Sequence, residues 1–332
     1  MPNQTSFTYV LNPDQQTALI DLLHSRSYRL YEAPHTRIAA ETSDCRVVLY
    51  NSGKCLIQGK GAEDWVLYEL EPNILKTATL GYEDVHNPEK FDPHMGIDES
   101  GKGDFFGPLV IAAVYIDPKI AEAFTAAKVR DSKTVTTDRA IAQLAQSIRA
   151  IVGNKFTLVE IGPAAYNRMY ERNSNVNQIL AWGHARAIEN LLEIVPHCPR
   201  ALADKFGPTH RIESALMQKG KSIQLEQRTK AESDPAVAAA SILARDRFVQ
   251  KLRMMSEKLG VEIPKGVSDR VKSTAVDLIK RNGPETLRDH CKLHFRTSRE
   301  VLLAAGHDPA SLGLSEKEPP RFTFRKKKDP AS

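Results

Sequence analysis

The first 80 residues alternate between short β-type runs and helices with one apolar stripe. A run over residues 6–10 precedes a helix that starts near Pro13 and carries its apolar stripe at residues 19–23. Three further β-type runs and a second helix follow, at residues 36–41, 45–50, 55–59 and 64–75. The order β-α-β-β-β-α predicts a small α+β unit.

Beyond residues 83–94, which have the prolines and charges of a linker, predicted strands alternate with helices. We therefore predict an N-terminal domain over residues 1–82, a linker over 83–94, a larger domain over 95–310 and a disordered basic tail over 311–332. The larger domain has predicted strands at 95–99, 108–116, 155–162, 201–206 and 222–226, and predicted helices at 138–152, 177–195 and 235–259.

Composition and charge narrow the classes of protein. Apolar residues make up 41% of the chain, which is enough for a proper core. The chain has no apolar run near the roughly 20 residues of a membrane helix and no secretory signal pattern, so we expect a soluble cytoplasmic protein. Residues 1–85 hold 7 basic and 11 acidic residues and so have a net charge of −4, whereas the whole chain has a net charge of +5. The remainder of the chain therefore has a net charge of +9. This basic remainder favours a polyanionic partner.

The cysteines and nearby histidines give only a weak metal signal. None of the 4 cysteines forms a CxxC pair, which argues against a zinc ribbon or a redox motif. The segment His290-Cys291-Lys292-Leu293-His294 contains three potential ligands but has no matching second cluster. Packing at a helix end is the favoured interpretation of this segment.

The strongest chemical signal is the segment GIDESGKGDFFGP at residues 96–108. Asp98 and Glu99 end a predicted strand, and carboxylates bind hard divalent cations through oxygen. Gly101 and Gly103 follow, and glycine lets the backbone approach a ligand closely. A bound Mg²⁺ would accept phosphate oxygens, so an acidic site could take an anionic substrate.

The same segment also fits the first seven positions of the phosphate-binding loop GxxxxGK[ST]. It fails at the eighth position, where Gly103 replaces the Ser or Thr that would hold Mg²⁺. Asp98 and Glu99 would also repel the phosphates inside such a loop. A nucleotide-hydrolysing loop is therefore disfavoured.

Two further acids lie in separate parts of the larger domain. Asp204 follows the apolar run ALA, and Glu232 shortly precedes the helix AVAAASILARDR. The small residues of that helix would let it pack closely on the sheet and bring Glu232 to the strand ends. Asp204 could equally be a strand-end residue that faces solvent, and Asp234 or Ser233 could simply cap the helix.

Asp98, Glu99, Asp204 and Glu232 could together form one carboxylate cluster. Cations relieve the repulsion in such a cluster, and a pair of Mg²⁺ ions is a known arrangement for phosphodiester hydrolysis. Asp234 or Asp246 could replace Glu232 as the fourth ligand.

These motifs resemble those of the type 2 ribonucleases H, and within that group those of ribonuclease HIII. The resemblance covers roughly residues 95–250 and includes GIDESGKGDFFGPLV, Asp131-Ser132-Lys133, Ala203-Asp204 and KAESDPAVAAASILARDR. Ribonuclease HIII is the better match because the fourth acid is Glu232 rather than Asp and the glycine motif is GKG rather than GRG. An N-terminal domain similar to half of the TATA-box-binding protein is also typical of ribonuclease HIII.

The resemblance implies a ribonuclease H-like α/β fold, with a mixed five-stranded sheet and flanking helices. It also implies that a TATA-box-binding-protein-like domain, which binds substrate, precedes this fold in the chain. It implies endonucleolytic hydrolysis of the RNA strand of RNA–DNA hybrids, leaving 5′-phosphate and 3′-hydroxyl ends, with two Mg²⁺ or Mn²⁺ ions. The implied ligands of those ions are Asp98, Glu99, Asp204 and Glu232.

The resemblance also implies that the backbone of residues 101–103 contacts the 2′-hydroxyl next to the cut, which distinguishes RNA from DNA. The substrate-binding residues that it implies are Ser100, Gly101, Lys102, Gly103, Ser132 and Lys133. Four further residues, to which no role is assigned, are candidates for lining the substrate groove: Tyr166, Asn167, Asn173 and Asn175.

Two alternatives stay open at this point: incision at single ribonucleotides in DNA, as in ribonuclease HII, and an inactive hybrid-binding module. The expected partner is an RNA–DNA hybrid; we expect no membrane and no obligate protein partner, and a monomer by default. The N-terminal domain is net negative, but Arg46, Lys54 and Lys60 fall in or beside its strands, so its sheet could still present a positive face.

Overall fold

The computed structural model describes residues 5–26, 28–76, 91–127, 129, 137–204, 210–216, 220–228 and 231–314. The chain separates into two compact units, Met1–Glu89 and Lys90–Ser332. Most of the predicted linker and most of the predicted tail lie outside the described residues, so these boundaries stay predictions. Across the described ranges, every helix is too short or too polar to cross a membrane.

The first unit is an antiparallel five-stranded sheet with the order β1-β5-β4-β3-β2 and its helices on one face. Helix α1, Pro13–Ser25, begins at a capping box in which Asn12 and Gln15 bond to each other's backbone. Alternate strand residues such as Phe7 and Val47 pack on Leu19 of this helix. The strands are Ser6–Val10 (β1), Arg29–Leu30 (β2), Thr36–Glu41 (β3), Arg46–Tyr50 (β4) and Lys54–Gln58 (β5).

Two features of this unit differ from the sequence-based expectation. The short strand β2 was not predicted. The second helix consists of a short α-helix, Ala62–Trp65 (α2), and a π-helical segment, Val66–Leu75, rather than one α-helix over 64–75. Pro72 lies inside the π-helical segment and has no N–H to donate, which disfavours a continuous α-helix there.

The second unit is built on a mixed five-stranded sheet, as predicted, and its strands have the order β10-β9-β6-β7-β8. Strand β7 pairs with β6 and β8 in antiparallel fashion, whereas β9 runs parallel to both β6 and β10. The strands are His94–Ser100 (β6), Leu109–Ile116 (β7), Phe156–Ile161 (β8), Arg200–Asp204 (β9) and Gln224–Arg228 (β10).

Helices cover both faces of this sheet, and strand β7 is buried between them. Its residues Val110 and Ala112 belong to one core cluster, and its residues Leu109 and Ile111 belong to the other. This double burial explains why the strand is a continuous apolar run. The helices are Pro118–Ala126 (α3), Asp138–Val152 (α4), Pro163–Asn173 (α5), Val176–Ile194 (α6), His210–Ala215 (α7), Pro235–Leu259 (α8), Asp269–Asn282 (α9), Thr286–His290 (α10) and Arg296–Ala304 (α11).

Helix α8 packs directly on the backbone of β6. A Cβ atom added at Gly96 would lie only 2.2 Å from the carbonyl carbon of Ala236 and the nitrogen of Val237. The small residues of α8, including Ala239 and Ala240, are fully buried in this contact region. The expectation that small residues let this helix pack closely on the sheet is confirmed.

Candidate active site

Two aspartates lie side by side where the parallel pairing of β6 and β9 ends. Ile97 pairs with Ala203, and the next residues along the two strands are Asp98 and Asp204. Side chains alternate along a strand, and Gly96, two residues before Asp98, faces helix α8. The side chains of Asp98 and Asp204 therefore point to the same face of the sheet, which is the face that α8 covers.

Asp98 is partly buried, and its carboxyl group lies in an environment that disfavours charge. Burial, together with the neighbouring carboxylate of Glu99, raises the pKa of Asp98 to about 6. A hydrogen bond with Ser241 of α8 and one from the backbone nitrogen of Glu99, at 2.8 Å, act in the opposite direction. Positive charge at this position would therefore stabilise the ionised site.

Glu99 points to the other face of the sheet, where helix α6 lies. Its Oε2 atom is 3.0 Å from Nε2 of His184, a fully buried residue of α6, and its Oε1 atom is 3.5 Å from Nζ of Lys102. Burial raises the pKa of Glu99, but the hydrogen bond and charge of His184 and the charge of Lys102 outweigh it, and the pKa is lowered. Glu99 is thus held as an oriented carboxylate.

Sequence reasoning assigned no role to His184. The only available signal was a histidine within the largely apolar run of α6, and such residues are usually satisfied inside a core. The contact with Glu99 depends on how α6 packs against β6, which no local pattern in the sequence specifies.

The two glycines of the GKG motif serve different purposes. Gly101 has a φ angle of +90°, and a Cβ atom there would lie 2.3 Å from the carbonyl oxygen of Pro108, so the fold itself requires glycine. Gly103 is exposed, and no described atom lies within 4 Å of the position that its Cβ would take. Internal packing thus explains Gly101 but not Gly103, which is consistent with close approach by a ligand.

The turn that carries Glu232 is attached to Asp204. The backbone nitrogen of Ala231 donates to Oδ1 of Asp204 at 3.3 Å, and Ala231–Ser233 forms one 3-10 turn ahead of α8. The backbone of Glu232 thus follows directly on a contact of Asp204, while its side chain lies outside the described part of the chain.

The two alternative fourth ligands are engaged elsewhere. Asp234 is the N-cap of α8, and both of its carboxylate oxygens are 3.0 Å from Nε2 of the buried His94. Asp246 accepts hydrogen bonds from Arg149 and Gln250, each at 2.8 Å. These contacts favour Glu232 over either aspartate.

The described part of the chain does not include all of the predicted site residues. Two of the candidates for lining the substrate groove are wrong. Ser132 and Lys133 lie outside the described residues, whereas Ser100 is the last residue of β6. Tyr166 and Asn167 are only 1% and 4% exposed, so they cannot line a groove. Both pack against the segment that follows α10: Asn167 hydrogen-bonds to Cys291 and Leu293, and the ring of Tyr166 contacts His294. Among the side chains that the structure describes, no three His, Cys, Asp or Glu groups converge as a ready metal site.

Similar proteins of known family identify the family of this chain. The family profile described as Ribonuclease HII matches residues 95–298. Ribonuclease HIII of Protochlamydia amoebophila is 38% identical over 92% of this chain and 100% of its own length, and that of Chlamydia abortus is 37% identical over 90% and 97%. The chain belongs to the ribonuclease HIII family.

Solved structures agree with this assignment. The crystal structure of Bst-RNase HIII in complex with Mn²⁺ superposes with a TM-score of 0.62 at 28% identity, covering 91% of this chain and 99% of that one. RNase H3 of Aquifex aeolicus gives 0.52 at 30% identity, over 87% and 100%. As a member of the ribonuclease HIII family the chain is an endoribonuclease, and its mixed sheet with flanking helices is a ribonuclease H-like fold.

Proposed function

We propose that this protein cleaves the RNA strand of RNA–DNA hybrids endonucleolytically and leaves 5′-phosphate and 3′-hydroxyl ends. The observation that carries the proposal is the placement of Asp98 and Asp204 next to each other, on one face of two parallel strand ends. Glu99 and the exposed residues Lys102 and Gly103 adjoin this pair, so carboxylates and a surface for an anionic ligand occur together.

The donor set fits a hard divalent cation, because it consists of carboxylate oxygens. Burial and the Asp98–Glu99 pair together raise the pKa of Asp98 to about 6, and a nearby cation would relieve this repulsion. We infer that Asp98, Glu99, Asp204 and Glu232 hold two Mg²⁺ or Mn²⁺ ions when the hybrid is bound. Such ions would supply an activated water and stabilise the leaving oxygen.

The protein groups around the ions orient the ligands and the substrate. His184 fixes the carboxylate of Glu99 from below, and Ser241 hydrogen-bonds to Asp98. The backbone at Lys102 and Gly103 is exposed and would contact the 2′-hydroxyl, which only the RNA strand has. Lys102 would add a phosphate contact, as would Ser132 and Lys133 of the proposed substrate-binding set.

The N-terminal unit is proposed as a TATA-box-binding-protein-like domain that binds the hybrid through its open sheet face. Its helices cover one face of the sheet, and Arg46 and Lys54 are exposed on the other. Basic side chains on an uncovered sheet favour contacts to phosphates rather than to base edges.

The test is cleavage of a labelled RNA strand paired to DNA, with Mg²⁺, with Mn²⁺ and with chelator. Metal-dependent cuts inside the RNA, absent for RNA alone and for DNA duplex, are the expected result. A DNA duplex with one embedded ribonucleotide decides whether the protein instead prefers that substrate. Tight hybrid binding without cleavage by either metal would overturn the enzymatic proposal in favour of a binding module.

A further inference from the structure

A buried lysine supports the connection between β6 and β7 from inside the protein. Nζ of Lys292 donates to the carbonyl oxygens of Asp104 at 2.9 Å and Gly107 at 2.7 Å, and lies 3.5 Å from that of Phe106. The side chain is fully buried. The amine therefore contacts carbonyl groups along residues 104–107, which are the second half of the loop that begins with the GKG motif.

The backbone around Lys292 holds the same loop. The nitrogen of Lys292 donates to the carbonyl of Phe105 at 2.9 Å, and the nitrogen of Gly107 donates to that of His290 at 3.0 Å. Phe106 and Cys291 form an antiparallel bridge between these bonds. The segment 290–292 thus pairs with the loop like a short added strand.

A second anchor holds the loop from another segment. The nitrogen of Gly266 donates to Oδ1 of Asp104 at 2.6 Å, and its carbonyl accepts from the nitrogen of Phe105 at 3.1 Å. With residues 104–107 fixed at both sides, Lys102 and Gly103 are the exposed tip of an otherwise immobilised connection.

The partner segment is itself held in place by Asn167. Its Nδ2 atom donates to the carbonyls of Arg288 at 3.0 Å and Cys291 at 2.9 Å, and its Oδ1 atom accepts from the nitrogen of Leu293 at 2.9 Å. The buried amide thus fixes the backbone on both sides of Lys292.

Simple packing does not explain a lysine at this position. Burying an amine is costly, and an apolar residue of similar length would fill the space without that penalty. Burial lowers the pKa of Lys292 to about 7, against the charge of Asp104, which raises it. Protonated or neutral, the amine keeps at least two N–H groups for the carbonyls, so its support of the loop does not depend on its charge.

We propose that Lys292 is a positioning residue that holds the GKG loop in the conformation that recognises the hybrid. The inference rests on the proposed function, in which residues 101–103 contact the RNA strand. The carboxylates Asp98 and Glu99 lie on β6 and hydrogen-bond to Ser241 of α8 and His184 of α6, and the loop adds only the 3.5 Å contact of Lys102 with Glu99. Loss of the lysine is therefore expected to weaken substrate recognition and to leave metal binding and the chemical step largely unchanged.

The decisive variant is Lys292→Met, which keeps the length and removes the donors. Lys280→Met, at an exposed position of α9, is the matched control. For Lys292→Met we expect KM on the hybrid to rise about tenfold, the effect of about 1.4 kcal/mol, with kcat within about twofold of the wild type. Mn²⁺ affinity measured by calorimetry should not change. Amide hydrogen exchange should increase at residues 101–107 and 290–293 and nowhere else.

An unchanged KM in a folded Lys292→Met protein would overturn the inference, as would exchange that increases uniformly over the second unit. If this variant does not fold, Lys292→Gln keeps one donor group but is too short to reach all the carbonyls, and it should show the same selective rise in KM. Wild-type protein in the same assay separates the two proposals. Failure of the wild type to cleave the hybrid would contradict the proposed function, whereas cleavage that Lys292→Met does not alter would contradict only the inference.

Discussion

Asp98 and Glu99 are neighbours in sequence but have different environments, because β6 directs them to opposite faces of the sheet. Asp98 meets α8 and the repulsion of Glu99 outweighs the more distant charge of His184, whereas Glu99 contacts His184 and Lys102 directly. The pKa of Asp98 is accordingly raised and that of Glu99 lowered. A bound cation would thus stabilise the ionised carboxylate of Asp98, whereas the carboxylate of Glu99 is already oriented by the protein.

For Asp98→Asn we expect loss of hybrid cleavage by several orders of magnitude with unaltered folding. The amide removes a metal ligand, but it also removes the repulsion with Glu99, so the melting temperature should not fall. Asp277→Asn, at an exposed position of α9, should leave both activity and melting temperature unchanged. Cleavage rates and thermal unfolding of the three proteins check this, and an unfolded Asp98→Asn protein would count against the site.

His184 should control the affinity of the site for metal through Glu99. Loss of a group that orients a metal ligand typically lowers metal affinity by about 10–100-fold. We expect that range for His184→Ala, and partial recovery for His184→Gln, whose amide can still donate to the carboxylate of Glu99. The exposed His197→Ala is the control. Calorimetric Mn²⁺ titrations give the answer, and equal affinities for all variants would contradict the orienting role.

The difference between these residues also marks what the sequence can reveal. Asp98, Glu99 and Asp204 were identifiable because each directly follows the apolar part of its strand, and parallel strands bring these positions together. His184 and Lys292 act through contacts with residues far away in the chain, at 85 positions from Glu99 and 185 positions from Gly107. Without the packing of α6 and of the segment after α10, both are simply polar residues in apolar surroundings.

At the scale of elements, two glycines serve different purposes. Gly96 lets α8 pack closely on β6, and Gly103 leaves the tip of the loop open. Ala at position 96 would force its Cβ atom to within 2.2 Å of the helix backbone, and α8 would have to move. Ala at position 103 would meet no described atom within 4 Å. The two substitutions should therefore separate stability from substrate recognition.

For Gly96→Ala we expect a destabilisation of about 1–3 kcal/mol or more, the usual effect of overpacking, together with reduced activity as Asp98 shifts. For Gly103→Ala we expect unchanged stability but a clear rise in KM on the hybrid. Gly162→Ala is the control, since it also has open space and an ordinary φ angle but lies at the start of α5. Denaturant unfolding and steady-state kinetics test both, and a stable, fully active Gly96→Ala protein would refute the packing argument.

Periodicity predicted the long helices well and the short or unusual elements poorly. The helices Asp138–Val152 and Pro235–Leu259 have the predicted bounds, because each has a clear start signal and a long amphipathic or small-residue pattern. The π-helical segment Val66–Leu75 has the same apolar spacing as an α-helix over so few turns. Strand β2 has only two residues and exists through its pairing with β3, so no local pattern could show it.

The whole molecule divides its charge unevenly between two units that each have a core. The first unit is net negative, but its exposed sheet face carries Arg46, which is paired with Glu41, and Lys54. Other acids, such as Glu63 and Asp64, belong to the helix on the other side. The net charge of a domain therefore does not indicate the charge of the particular face that would bind a polyanion.

Deleting residues 1–85 should weaken hybrid binding more than it slows the chemical step. Each unit has its own core cluster, so the remaining catalytic unit should fold, and it retains Asp98, Glu99 and Asp204. We expect KM to rise by about tenfold or more, with kcat changed by no more than about twofold, and a shallower dependence of KM on salt because phosphate contacts are lost. In the full chain, Lys54→Ala should reproduce part of this effect and Lys76→Ala, beyond the π-helical segment, should not. Equal KM values and equal salt dependence for the full and shortened proteins would mean that the first unit does not bind the hybrid, and that the basic second unit provides the affinity by itself.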